Sequence, residues 1–362
     1  MLFSFTGAES DDLYRWFADG MRDVLVRNGH EHVGDAEQAG LVFNFFAQDR
    51  PRPFRRRAQA VFVVGVCAAE GPFEEPIRGG YPLLVRSLSN LMVVLLPDGT
   101  DSAQPDTHML TLEQGHYTVS SDHDGSAYFD HVYRRVAPLA TSRLVIDNIF
   151  EPDLEEALWH GDDITPSFYR AGQAMDALNL LPAPFPIREI LPARDFRHVQ
   201  RLYNIGGLSY GNMSARKDAQ RYWMSASGVD KSNLREVGRD ILMVKGYDEE
   251  KNAIRLSVPP NVEPRRVSVD AIEHWMIYRE HPDVDAILHV HAWMDGIEST
   301  EMNFPCGTYE MGVAVADLVR QAPDPSCAVV GQKNHGLTIT GRSLDEIVER
   351  VGGRLLAQVP MS

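Results

Sequence analysis

Apolar residues in this chain fall into two rhythms. Over Asp11–Val26 they recur every three to four positions, which predicts a helix. Shorter apolar blocks follow at Leu41–Phe46, Ala60–Val66 and Leu91–Pro97, and their length suits buried strands. The pattern then predicts a helix over Ser126–Ala140, a strand over Arg143–Phe150 and a helix over Phe168–Leu181. Short strands set between helical segments predict an N-terminal α/β domain of unknown role over residues 1–180. The stretch NLLPAPFPIREILPARDF carries four prolines, which break helices and favour extended chain, so residues 181–196 are expected to be a linker. Residues 197–362 are then a second domain.

Composition narrows the function classes. At 44% hydrophobic and 24% charged residues, the 362-residue chain is an ordinary globular protein, long enough for two domains. The net charge of −16 disfavours nucleic acid and acidic membranes, both polyanions. Three scattered cysteines, Cys67, Cys306 and Cys327, form no disulfide framework, and a reducing cytoplasm is expected. The opening MLFSFTGAESDDLYRWF lacks a basic region followed by an apolar core, so no signal peptide is expected. No apolar run reaches the roughly 18 residues of a membrane helix. There is no GxGxxG or GxxxxGK[ST] fingerprint. The basic cluster Arg50–Arg57 reads as a solvated loop, and the group His116, Asp122, His123 and Asp124 as turn chemistry.

The second half carries the chemistry. In AILHVHAW, His289 and His291 stand two apart in a run that reads as a strand, so both imidazoles face one side. They either share a metal or line a polar pocket. His335 follows another apolar run and precedes a glycine, at a strand end or tight turn. Three histidines with a carboxylate are a divalent-metal set in type and number. Gly211-Asn212-Met213-Ser214 and Ser225-Ala226-Ser227-Gly228 are small polar turns of the kind that can cradle an anion. Asp270 opens a helical segment that Ser268 is placed to cap.

These pieces occur in order as GNMSAR, SASGVDKSNL, VSVDAIEHWMIYREHPDVDAILHVHAW, CGTYEMGVAVADLV and KNHGLTITGRSLDEI. In that order the segment from about Arg197 to Gln358 resembles the class II aldolase/adducin family, with its fuculose-phosphate aldolase and ribulose-phosphate 4-epimerase members. The resemblance implies a three-layer α/β/α domain with a mostly antiparallel sheet. It implies Zn²⁺, or another divalent ion such as Mn²⁺, on His289, His291 and His335. It puts the catalytic acid/base on Asp270 and a substrate phosphate pocket on Gly211, Asn212, Ser227, Gly228 and Ser268. It also implies a homo-oligomer, commonly a tetramer.

The function so implied is a metal-dependent aldolase-type lyase. It would act next to the carbonyl of a sugar-like or sugar-phosphate-like substrate, through a metal-stabilised enediolate. The alternatives are an epimerase, dehydratase or decarboxylase on the same metal site, or a non-catalytic adducin-like assembly domain. The chain departs from the family in four places. Asp270 stands for the aldolase glutamate. Val269 replaces the second serine of the phosphate pocket. The segment carrying Glu298, Glu301 and Asn303 is short. No tyrosine follows Tyr309, leaving Tyr278 and Tyr309 as substitutes for a C-terminal proton donor.

Overall fold

The computed structural model describes the chain except residues 9–10, 56–60, 70–74, 98–103, 112–114, 124, 181–186, 203–210, 358 and 361–362. Arg56, Arg57 and Asp124 of the sequence motifs lie outside the described residues, as does the first part of the expected linker. The chain divides into two compact units, Met1–Thr141 with Pro186–His198, and Ser142–Phe185 with Val199–Ser362.

The first unit contains β1 (Leu2–Thr6), α1 (Asp12–Arg27), β2 (Glu31–His32), β3 (Leu41–Phe45), β4 (Phe62–Ala68), α2 (Pro76–Ser87), β5 (Leu91–Leu96), β6 (Asp106–Thr111), β7 (Gly115–Val119) and α3 (Gly125–Ala140). Its sheet runs in the order β2-β1-β3-β4-β5-β6-β7. The strands are parallel as far as β5; β6 and β7 are antiparallel. All five residues of β3 are buried, as expected for a parallel strand covered on both faces. Asp11 caps α1 by accepting from the Leu13 N–H (2.8 Å), and the helix buries Phe17, Met21 and Leu25.

Where an extended linker was expected, the described part is helical: α5 (Ile187–Ile190) and α6 (Ala193–Leu202). Pro192 stands just before α6, where its missing N–H costs nothing. Asp195 of α6 is 3% exposed and takes both Nε (2.9 Å) and Nη2 (2.6 Å) of Arg86 on one oxygen. This ties Pro186–His198 into the first unit.

The second unit begins earlier than the sequence pattern suggested. It holds β8 (Asp147–Glu151), α4 (Pro166–Ala177), β9 (Asn212–Arg216), β10 (Tyr222–Ser225), β11 (Ile241–Asp248), β12 (Ala253–Ser257), α7 (Ala271–Glu280), β13 (Ala286–Val290), α8 (Tyr309–Gln321), β14 (Val329–Gln332), β15 (Gly336–Gly341) and α9 (Leu344–Val351). The sheet order is β14-β15-β13-β9-β10-β11-β12-β8. Neighbours are antiparallel except β12 and β8, which are parallel, so this sheet is mixed. Helices α7 and α8 pack on each other, and α4 packs on α9. Among the described residues no helix is long and apolar enough to cross a membrane.

Residues 142–185 join this unit through polar contacts as well as apolar ones. The Asp162 carboxylate accepts from Trp223 Nε1 (2.9 Å), from Lys217 Nζ (2.8 Å) and from the Ile164 N–H (3.0 Å). Burial alone raises the Asp162 carboxyl, but donors from Lys217, Trp223 and Ile164 outweigh it and hold it below its ordinary value. A carboxyl lowered in the folded state adds stability above its unfolded value, about 3.9, and loses it as pH falls through the folded value. Asp162→Ala therefore lowers the unfolding free energy at pH 7 by about 2–3 kcal/mol, because a buried indole N–H and an ammonium lose their acceptor. The deficit shrinks at pH 3; urea unfolding followed by tryptophan fluorescence at both pH values measures it.

Candidate functional site

Strand β13 is buried along its whole length and carries His289; His291 follows one residue beyond its end. The third histidine, His335, sits in the turn between β14 and β15, after Asn334 in the left-handed region (φ 58°). Because β15 pairs with β13, that turn returns His335 to the end of β13. One ring nitrogen from each of His289, His291 and His335 lies within 4.8 Å of the others, and all three residues are buried.

The donor chemistry suits a cation. His289 Nδ1 donates to the Leu337 carbonyl (3.1 Å), which leaves the lone pair on Nε2. That Nε2 lies 3.2 Å from His335 Nε2. Imidazole nitrogens sharing one tetrahedral zinc at about 2.0–2.1 Å stand about 3.3 Å apart, so this pair has the spacing of two ligands. Burial, reinforced by His335 and His291, pushes the His289 imidazole well below its ordinary value and keeps it neutral, the form that binds metal.

The acid is held next to this group's strand. Asp270 is the N-cap residue of α7, but its side chain makes no capping bond. Its Oδ2 instead accepts from Asn212 Nδ2 (2.7 Å), and both residues are buried. Asn212 lies opposite His289 in the β9–β13 register. Ser268, expected to cap α7, is two residues short of that position; its N–H donates to the Ser225 carbonyl (3.1 Å). The Ser227 N–H is likewise spent on the Arg266 carbonyl (2.8 Å). The two segments therefore run side by side and antiparallel, with Ser227 opposite Arg266 and Ser268 opposite Ser225, and the backbone donors of both serines are already spent. Gly228 takes φ +67° at the turn.

Several residues here escaped the sequence reading. Lys231 is 4% exposed and donates from Nζ to the Ala226 carbonyl (2.7 Å), bracing the turn that holds Ser227. Burial lowers its ammonium to about 8, while Asp270, Asp230 and Asp240 oppose that shift. Cys306 Sγ lies 3.3 Å from His335 Nε2, so the thiol faces the trio. Glu273, Gln332 and Thr338 form a hydrogen-bonded group beside His289. Lys231 had a signal, its place in the matched SASGVDKSNL stretch; Glu273 on a helix surface pattern had none.

Other candidates fall elsewhere. Tyr278 is buried against Tyr222, and its hydroxyl pairs with Ser214 Oγ (2.8 Å), a packing role. Tyr309 stacks under the Arg143 guanidinium (4.4 Å). Glu298 and Glu301 are exposed. His116, in the first unit, pairs with His108 (2.7 Å) across β6 and β7.

Comparison with known proteins places this geometry in context. Residues 196–352 match the family model described as the class II aldolase and adducin N-terminal domain. Methylthioribulose-1-phosphate dehydratase of Cronobacter sakazakii is 28% identical over 147 residues, 39% of this chain and 64% of the relative. The protein of the same name from Citrobacter koseri is 38% identical over 81 residues, 22% of this chain and 34% of the relative. The chain thus spans less than two thirds of the length of either. A solved L-fuculose 1-phosphate aldolase aligns at TM-score 0.36 and 17% identity, over 53% of this chain and 83% of that one.

Gly211 tests how closely the backbone is packed here. It takes φ +103°, and a Cβ on it would stand 2.6 Å from the His289 carbonyl oxygen. Gly296 also has positive φ (+75°) but open space around it. Gly296→Ala should cost about 1–3 kcal/mol from backbone strain, and Gly211→Ala clearly more, because β13 must also move. Denaturant unfolding of the two variants compares them.

Proposed function

Residues 196–352 carry a class II aldolase/adducin domain, and from that premise we propose that the second unit is a metal-dependent lyase acting beside the carbonyl of a small hydroxylated substrate. The observation that carries the reading is the buried trio His289, His291 and His335, with ring nitrogens within 4.8 Å of one another. These histidines would hold the divalent ion, zinc or manganese. When bound, such an ion supplies a Lewis acid for negative charge that builds on the substrate's carbonyl oxygen.

The chain's own groups do the rest. Asp270, oriented by Asn212 Nδ2, takes and returns a proton at the carbon beside the carbonyl or at the hydroxyl on the next carbon. The Ser227 hydroxyl, on a turn braced by Lys231, and the Ser268 hydroxyl, ahead of α7, anchor the remote anionic end of the substrate and fix its orientation. The proposal includes a homo-oligomer, as the family resemblance implies, and an N-terminal unit that folds separately.

Aldol cleavage removes the proton of the hydroxyl on the second carbon from the carbonyl and breaks the bond between that carbon and the one beside the carbonyl. Dehydration removes a proton from the carbon beside the carbonyl and expels that second carbon's hydroxyl as water. The names of the curated relatives favour dehydration as the second reading. A panel of phosphorylated and unphosphorylated ketoses, read by mass spectrometry, separates them. Two carbonyl fragments mean cleavage, and a product lighter by one water means dehydration. An isomer of unchanged mass, or no turnover across the panel, would sink the lyase reading.

The metal is tested directly. Elemental analysis of wild-type protein should find about one zinc or manganese per chain. The double variant His289→Ala/His291→Ala should carry none.

A further inference from the structure

Helix α7 delivers a second carboxylate into the interior, three residues after Asp270. Glu273 is 1% exposed. Its Oε1 accepts from Thr338 Oγ1 (2.5 Å) and its Oε2 from Gln332 Nε2 (2.8 Å). Gln332 Nε2 also reaches Thr338 Oγ1 (2.8 Å) and lies 3.3 Å from His289 Nδ1. A single amide nitrogen therefore separates this carboxylate from the imidazole of His289.

The hydrogen bonds can accommodate a charged carboxylate. The Gln332 amide spends its two protons on Glu273 and Thr338, and the Thr338 hydroxyl spends its proton on Glu273. Both carboxyl oxygens then have a donor in reach, so the pocket is built to hold Glu273 ionised when a positive charge is near. Both donors are neutral. Burial, followed by the Asp270 carboxylate, pushes the Glu273 carboxyl up to about 8, against the opposing pull of the Thr338 and Gln332 donors and of His335. Burying an ion without a counter-ion costs several kcal/mol. Nothing among the described residues offsets that cost in full.

A divalent ion on the trio would. Three neutral imidazoles leave a dication uncompensated, and Asp270 and Glu273 supply two negative charges against it and the nearby Lys231 ammonium. We propose that Glu273, seated by Gln332 and Thr338, is the buried counter-charge of the ion held by His289, His291 and His335 and favours a dication there by its own charge. The inference rests on the metal reading above. It gives Glu273 a role when the ion is bound and makes it a liability when the ion is absent.

Those two states give opposite signs, and the test uses both. Zinc affinity is measured by competition with a chromogenic chelator, and thermal stability is measured with and without zinc. Glu273→Gln should weaken zinc binding about 10–100-fold, the range for groups that support metal ligands. The metal-free variant should melt no lower than metal-free wild type, because a buried charge has been removed. Thr338→Val keeps the charge and loses a hydrogen bond; it should lower metal-free stability and leave zinc affinity close to wild type. Glu273→Leu, uncharged and of similar size, repeats the measurement if the glutamine variant does not fold. Unchanged zinc affinity in the Glu273 variants overturns the proposal, as does a lowered metal-free melting temperature with affinity intact. Wild type that takes up no zinc or manganese overturns the histidine reading itself, and this proposal with it.

Discussion

Strand β13 is hydrogen-bonded along both edges, to β9 on one side and β15 on the other, and the site depends on that double pairing. The register sets Asn212 and Thr338 on either side of His289. A slip of one residue would turn His289 to the opposite face of the sheet. Close backbone approach protects the register. Besides Gly211, Gly336 lies where a Cβ would stand 2.3 Å from the Val290 carbonyl oxygen. Side chains at either position would force apart the strands that aim the imidazoles.

Around this strand, α7 meets the sheet with polar groups. Toward β9, Ser214 Oγ joins His274 Nδ1 (2.7 Å) and the Tyr278 hydroxyl (2.8 Å). Burial lowers His274 to about 3, so it stays neutral there. Toward β14 and β15, Glu273 meets Gln332 and Thr338. An apolar helix would pack here at lower cost. Polar networks in a low-dielectric interior instead fix orientation, which a metal-type site requires, and here they do so with His274 Nε2 left without a partner among the described residues.

Much of this was legible in the sequence, and the rest was hidden for physical reasons. The helix read over Asp11–Val26 is α1 at Asp12–Arg27, because its apolar stripe and Asp cap are both local. The apolar blocks became β3, β4 and β5. The pairing of His289 with His291 followed from the two-residue period of a strand, whereas His335 was legible as a third histidine of the right type and was assigned to the same ion only by family resemblance, since its approach depends on strand order. Helix α2 carries Gly79, Gly80 and Pro82, which hide a helix from any propensity argument. Glu273 was invisible because a helix glutamate is solvated unless tertiary structure supplies partners. The linker reading missed the helices of its described part because a proline that ends one helix is also well placed just before another. The membership of residues 142–185 in the second unit depends on Trp223 and Lys217, distant in sequence.

That last feature bears on how the molecule can be divided. Strand β8 closes the outer edge of the second sheet, pairing in parallel with β12 from Ala253–Asp147 to Ser257–Glu151. It comes from a point in the chain well before the family match begins at residue 196. A polypeptide started at that match would keep every histidine of the trio, yet expose the β12 edge as a row of unpaired amide and carbonyl groups. Such an edge is a template for sheet extension between molecules, so the excised piece would tend to aggregate. The boundary of likeness and the boundary of foldability lie about fifty residues apart, 142 against 196.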